Sequence, residues 1–372
     1  MTRASWQLAP QRMAAMKPLT YSFLLIGAVA AVGMCQPPAP PEPLGYVAYR
    51  AAHPITIDGK LDDDAWAAAP WSEAFVDIEG DKKPRPRFKT RMKMLWDDAA
   101  LYIAAEMEEP HLWATLTEHD SVIFQDHDFE VFLDPDGDNQ NYCELELNAK
   151  NTTWDLLLTK PYRDQGRAVN GWEITGLKTA VALEGTLNDP RDKDRGWTVE
   201  IKWPWTGLKE LTNAAVPPRD GDQWRIDFSR VEWDMDIVDG KYQRIKGRPE
   251  HNWVWSPPGV IDMHRPERWG YVQFSNATPG AVAFRPDPER GVRDLLHRVY
   301  EAQREHFAKT KSYADSLEAL KLDAGSFSKG FRLERTSSAF EAELPAAAGS
   351  QTKWRISQDS WIRRVDSAKA EK

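Results

Sequence analysis

The chain has 372 residues, and its 48 Lys and Arg against 57 Asp and Glu leave a formal charge of −9, which excludes broad neutralisation of a nucleic-acid backbone. A hydrophobic share of 41% with a charged share of 28% excludes a multi-span membrane protein and a wholly disordered chain. The 17 Trp and 26 Pro are the surplus that a reading of function has to use.

Lys17 precedes an apolar run from Leu19 to Met34 that grows rich in small residues and ends at Cys35. A basic flank before a short apolar core predicts an export signal over residues 1–35, with Met16 as an alternative start. Val32-Gly33-Met34-Cys35 resembles the lipobox of bacterial lipoproteins, which implies a lipid on Cys35 as the only membrane attachment. Met34 stands where that pattern has a small residue, so cleavage with release into the periplasm or medium is the alternative. Residues 36–47, with Pro37, Pro38, Pro40, Pro41 and Pro43, read as a stiff linker. Once Cys35 is lipidated, Cys143 has no disulfide partner and reads as a buried strand thiol.

Residues 48–278 carry short alternating runs bounded by Gly, Pro, Asn and Asp, which predicts an all-β region. The runs are Arg91–Trp96, Leu101–Met107, Phe129–Leu133, Tyr142–Leu147, Trp154–Leu158, Trp197–Ile201, Trp224–Phe228 and Trp269–Phe274. Their number and spacing predict one β-sandwich of the immunoglobulin or jelly-roll kind. After Pro279 the pattern changes. Val292, Leu295, Leu296, Val299, Tyr300 and Phe307 fall at helical spacing, with Asp287-Pro288-Glu289 as the cap region. Two hairpin patterns follow, around Phe331–Leu344 and Trp354–Val365, so residues 287–372 read as a small α+β appendage.

An ordered set of segments in the β region resembles the family 9 carbohydrate-binding module. It comprises Ile57–Trp66, Leu95–Asp98 with Leu101–Ile103, Asp128–Asp134, Gly196–Ile201 with Pro204-Trp205, and Trp224–Arg230. The resemblance implies a β-sandwich that binds polysaccharide or oligosaccharide outside the cytoplasm without chemistry, gripping a glycan end between aromatic rings. It also implies calcium in some members.

The residues themselves agree with that expectation. A sugar ring has an apolar face and a rim of hydroxyls, so its binder needs flat aromatic surface and a few fixed polar groups. Trp66, Trp96, Trp197, Trp203, Trp205, Trp224 and Trp269 sit in regular strand contexts and read as core. Trp113, Trp154, Trp253 and Trp255 lie in polar, irregular stretches and are the candidate sugar platforms. Glu144, Glu146 and Asn148 alternate with Cys143, Leu145 and Leu147, which makes Glu144 and Asn148 candidate hydroxyl partners; a solvated sheet face is the other reading of that row. Glu130 and Arg230 interrupt apolar strands and are further candidates, with pairing to each other or to neighbours as the alternative. Asp134, Asp136 and Asp138 alternate around Gly137, an arrangement suited to a calcium ion or to a simple Asx turn.

Three rival readings stay open. Glu144 and Glu146 are the acidic pair a glycoside hydrolase would use. Met92, Met94 or Met107 with a His would be the axial ligands of a haem-binding sandwich. A structural envelope protein is the third.

Overall fold

Each expected run forms a strand in the computed structural model, which describes residues 41–366. The export signal and Cys35 lie outside the described residues. The strands are β1 (Gly45–Arg50), β2 (Val76–Asp77), β3 (Thr90–Trp96), β4 (Ala100–Glu108), β5 (Asp128–Asp134), β6 (Tyr142–Asn148) and β7 (Thr153–Leu158). They continue with β8 (Ala168–Val169), β9 (Lys178–Glu184), β10 (Gly196–Pro204), β11 (Gln223–Glu232), β12 (Met235–Val238), β13 (Lys241–Arg244), β14 (His251–Val254) and β15 (Tyr271–Ser275). The first strand opens at Gly45, before the expected start at 48, because its parallel pairing with β15 begins at Gly45 and Tyr271.

Hydrogen bonding runs in the order β8-β7-β6-β5-β11-β15-β1-β3-β4-β10-β9, with β14 on the far half of β11 and β2 on β14. This ribbon folds over itself, and the inward residues of both halves form the core. Met92, Met94, Ile103, Trp197, Val199 and Trp203 meet Phe129, Val131, Leu145, Trp224, Ile226 and Phe228 there. The seven Trp residues expected to be structural are all at most 3% exposed, Trp66 on a short helix and Trp205 and Trp269 beside strands. Truncating any one to Ala removes a large, sealed ring, a change that costs about 3–5 kcal/mol. Cys143 is a buried strand residue, as expected, and the three Met named above are core residues beside these rings.

The outer face of the β1-β3-β4-β10 half is closed by the segment 51–69, including the helix α1 (Asp64–Ala68). Glu200 on β10 holds that segment: its carboxylate accepts the Asp58 and Gly59 N–H groups at 2.9 and 2.8 Å and Trp66 Nε1–H at 2.7 Å. Gly59 has φ +88°, and a Cβ there would lie 2.5 Å from the Val181 carbonyl carbon, so the Asp-Gly turn leaves no room for another side chain.

The C-terminal pattern forms the helix α2 (Arg290–Thr310) on an antiparallel meander of β16 (Arg332–Arg335), β17 (Phe340–Pro345), β18 (Thr352–Ser357) and β19 (Ile362–Asp366). Leu296, Val299 and Tyr300 pack on Phe340, Leu344 and Ile356 in a core of their own. Asp287 acts at the helix start, where its carboxylate accepts from Glu289 N–H and pairs with Arg293. No helix among the described residues is long and apolar enough to cross a membrane.

Candidate functional site

The outer face of the other half is unusual because strand alternation points acids as well as apolar groups away from the core, beside a small apolar cluster of its own. Cross-strand register sets Glu130, Glu146 and Trp154 in one row over β5, β6 and β7, and Phe132, Glu144 and Leu156 in the next. The loops around Phe124, Tyr162 and Asp262–His264 rise beside these rows. They leave a cavity of about 280 Å³ whose other walls include Glu250 and Asn252. That size is near the lower end of the about 300–1,000 Å³ of small-ligand sites, a fit for a short ligand. Trp154 is half-buried in the wall, tilted 30° to the Phe124 ring at 6.5 Å, and its indole N–H has no partner.

Glu130, Glu144 and Glu146 are 5%, 4% and 2% exposed, and no Lys or Arg is among the described residues lining the cavity. Burial, reinforced by the Glu250 charge, pushes the Glu130 carboxyl up to about 7. Burial and the Glu130 charge hold Glu144 well above the ordinary range, and burial with the Glu144 charge does the same to Glu146. His264 is driven down to about 3 by burial and by Arg163, so it stays neutral and accepts or donates without charge. The folded protein therefore keeps protons that the unfolded chain releases near the ordinary value of 4.5. The stability Glu130 contributes is complete below about 4.5 and is lost as pH rises through about 7. In metal-free buffer the gap in melting temperature between wild type and Glu130→Gln is expected to shift in favour of the variant between pH 5 and pH 8. Thermal unfolding followed by circular dichroism checks it, and a gap independent of pH contradicts it.

Glu130, Glu144 and Trp154 thus line one cavity. The other candidates do not join them. Trp253 and Trp255 are 3% and 2% exposed, with rings in the sandwich core against Phe88 and against Tyr46 and Phe228. Both ring faces are covered by protein, so they are core residues and offer no landing surface. Arg230 points inward from β11, away from Glu130, and its guanidinium donates to Glu109 at 2.6 Å and is ion-paired with Glu232 at 2.9 Å. Sealed from solvent, it takes the alternative of pairing with neighbours, and neither sugar contact nor pairing with Glu130 is open to it. Asn148 is sealed; its amide bonds Leu116 O and Asp126, and its Oδ1 accepts from Lys150 and Thr152 N–H. It fixes the loop at the end of β6.

Trp113 lines a second cavity of about 500 Å³, with Trp233, Tyr242 and the basic side chains Arg244, Lys246 and Arg248 beside the β12–β13 hairpin. In the Asp134–Asp138 turn, Asp134 accepts from Gly137 and Asn139 N–H, and Asp138 from Gln140 N–H and Trp361 Nε1–H. Ile362 N–H and the Asn139 amide add bonds across to β19 and Ser360. Asp138 and Asn139 thus tie the appendage to the sandwich, while Asp136 accepts from Asn213 N–H, and one carboxylate oxygen from each of Asp134, Asp136 and Asp138 lies within 4.8 Å of the other two. Met92, Met94 and Met107 are sealed in the core and line neither cavity.

Residues 57–274 match the family model described as carbohydrate family 9 binding domain-like, over more than half of the chain. The chain belongs to the carbohydrate family 9 binding domain-like family. No curated protein matches it. Among solved structures, a family 9 carbohydrate-binding module from Caldicellulosiruptor kristjanssonii in complex with cellotriose is 18% identical, over 65% of this chain and 100% of that one, with a TM-score of 0.41. The same kind of module with glucose is also 18% identical, over 64% and 100%, at 0.41. A putative carbohydrate-binding protein from Bacteroides uniformis is 14% identical, over 63% and 100%, at 0.48. Within this family 9 domain, Glu146 was visible in the sequence as one member of an alternating row and as half of the acidic pair of the hydrolase reading. Phe124, Tyr162, Glu250, Asp262 and His264 come from separate loops with no shared motif. Only the folded chain brings them together.

Proposed function

We propose that the protein binds carbohydrate without chemistry, and that the binding site is the cavity over β5, β6 and β7. The observation that carries this is Trp154 standing in the wall beside three buried carboxyl groups, a flat apolar surface next to hydroxyl partners. A pyranose laid on the indole would bring its hydroxyls to Glu130, Glu144 and Glu146. Protonated carboxyls at this depth donate as well as accept, which suits hydroxyl groups that do both. Membership of a family of carbohydrate-binding domains supports the same reading. The apolar run before Cys35 and the Pro-rich linker after it support export, with a lipid on Cys35 holding the domain off the membrane.

The test is a glycan array with the mature chain, followed by calorimetry on any hit and on glucose and cellotriose. Saturable binding with one site per chain is expected, with no release of reducing sugar on prolonged incubation. Sugar release would instead favour the hydrolase reading, and binding that survives a blocked cavity would move the site to the Trp113 cavity.

A further inference from the structure

We infer that His119, Asp120, Asp155 and Glu173 form a site for one divalent transition-metal ion of the zinc class, which clasps three separate segments of the chain beside β7. The inference does not rest on the sugar reading, since none of the four residues lines the cavity over β5, β6 and β7.

The geometry centres on the His119 ring. Its Nδ1 lies 3.0 Å from the Thr153 carbonyl oxygen, with the Thr153 hydroxyl at 3.2 Å as a second partner. A carbonyl can only accept, so Nδ1 keeps its proton and donates there. Nε2 then faces acceptors alone, with Glu173 Oε1 at 3.1 Å, Asp120 Oδ1 at 3.4 Å and Asp155 Oδ1 at 3.7 Å. A ring nitrogen among three carboxylates carries either a second proton or a metal ion. Asp155 supplies the observation that favours the metal. It is 1% exposed, and its Oδ2 accepts from Ile174 N–H at 2.6 Å. Its Oδ1, on the side of Nε2, is shut off from water and has no hydrogen-bond partner. A proton on Nε2 serves the nearer Glu173 and leaves this oxygen without a donor, whereas an ion between the four groups reaches it.

The spacings and the ligand set select the metal class. Zinc held at about 2.0–2.2 Å by nitrogen and oxygen ligands in a tetrahedron sets those atoms about 3.3–3.6 Å apart, and the three distances from Nε2 straddle that edge. The ligand atoms of His119, Asp120 and Glu173 all lie within 4.8 Å of one another, so one ion spans them. An imidazole nitrogen turns the preference from calcium, which takes oxygen ligands, to the transition series. The Nδ1–H bond to a backbone carbonyl is the outer contact that fixes the ring of a metal-bound His. Zinc also answers three acids with two positive charges where a protonated His119 offers one, and among the described residues no Lys or Arg is ion-paired with any of the three. Bound there, the ion ties the turn at His119 and Asp120, five residues before the Phe124 of the cavity wall, to β7 and to the segment at Glu173.

The mature chain, free of any affinity tag, is to be titrated with zinc chloride by calorimetry at pH 7.5, and with cobalt chloride, whose visible bands are strong only in a four-coordinate site. One saturable zinc site per chain is expected, with strong cobalt bands that zinc bleaches and a melting temperature that rises with zinc concentration. The affinity should fall as pH drops, because protons compete for His119 and the acids. His119→Ala and Glu173→Gln change exposed side chains, and both variants should stay folded by circular dichroism while losing at least tenfold in zinc affinity along with the zinc-dependent rise in melting. Asp155→Asn keeps an acceptor for Ile174 N–H and should show the same loss. His53→Ala, an exposed His outside the cluster, should bind as wild type. No zinc or cobalt site in the folded wild type overturns the inference and leaves His119 as a protonated partner of the acids. Zinc affinity unchanged in His119→Ala, or lost only in His53→Ala, overturns it as well, as does calcium displacing zinc at equal concentration.

Discussion

A Trp154→Ala chain is expected to stay folded and to lose glycan affinity at least about thirtyfold, the effect of removing a central aromatic contact of about 2 kcal/mol or more. The fold should tolerate the change because Trp154 is half-buried, lies on the outer face, and has an indole N–H that bonds no protein acceptor. Its strand β7 is covered on the far side only by the two-residue β8, so the ring is not a keystone between layers. Trp253→Ala is the contrasting case. That ring is packed on Phe88 and lies under the Arg230 guanidinium at 5.2 Å, so its removal opens a hole in the core. The pair of variants separates surface from scaffold: calorimetry should report the first and thermal unfolding the second. Undiminished binding by Trp154→Ala would place the sugar elsewhere, with the cavity beside Trp113 next in line.

The legibility of this chain follows the range of the forces involved. Strand alternation is local, and it placed Leu101–Met107, Phe129–Leu133 and Tyr142–Leu147 to within a residue at each end. The helix from Arg290 was equally plain in its apolar spacing. The direction of side chains near a strand end depends on the partner strand. Trp253 and Trp255 sit in a polar stretch with Ser256 and Pro257, yet β14 turns them inward because it pairs with the far half of β11. Arg230 shows the same limit from the other side. A charge amid apolar residues signals either a ligand or a buried partner, and its partners Glu109 and Glu232 come from the end of β4 and from β11 itself. Glu109 is 121 residues away, beyond any local pattern. Glu130 and Glu144 were readable because the same alternation that buries Val131 and Leu145 must turn them outward. Their enclosure was not readable, because the loops that cover them are set by tertiary contacts such as Trp269 Nε1–H donating to Met263 O.

Arg230→Met is expected to destabilise the sandwich by about 3–5 kcal/mol, the range for removing one member of a buried, hydrogen-bonded charge group. The guanidinium is fully enclosed and donates to Glu109, Glu232, Thr90 Oγ1 and the Glu108 carbonyl, so four acceptors lose a donor at once. Met fills much of the space but satisfies none of them. The carboxylates do not respond alike. Burial and the Glu232 charge push Glu109 up to about 8, so it is mostly protonated at pH 7. Burial would also raise Glu232, but His127, 2.7 Å away, and Arg230 hold it well below the ordinary range. Glu109→Gln should therefore cost little at pH 7, since the amide imitates the neutral acid, while Arg230→Met leaves the Glu232 charge dependent on His127 and on the half-exposed Arg87. Urea unfolding of the two variants at pH 7 should show a large loss of stability for Arg230→Met and a small one for Glu109→Gln. An Arg230→Met chain with normal stability and lost glycan binding would return Arg230 to the binding site, and the charge cluster would then be a ligand contact instead of a clamp between β4 and β11.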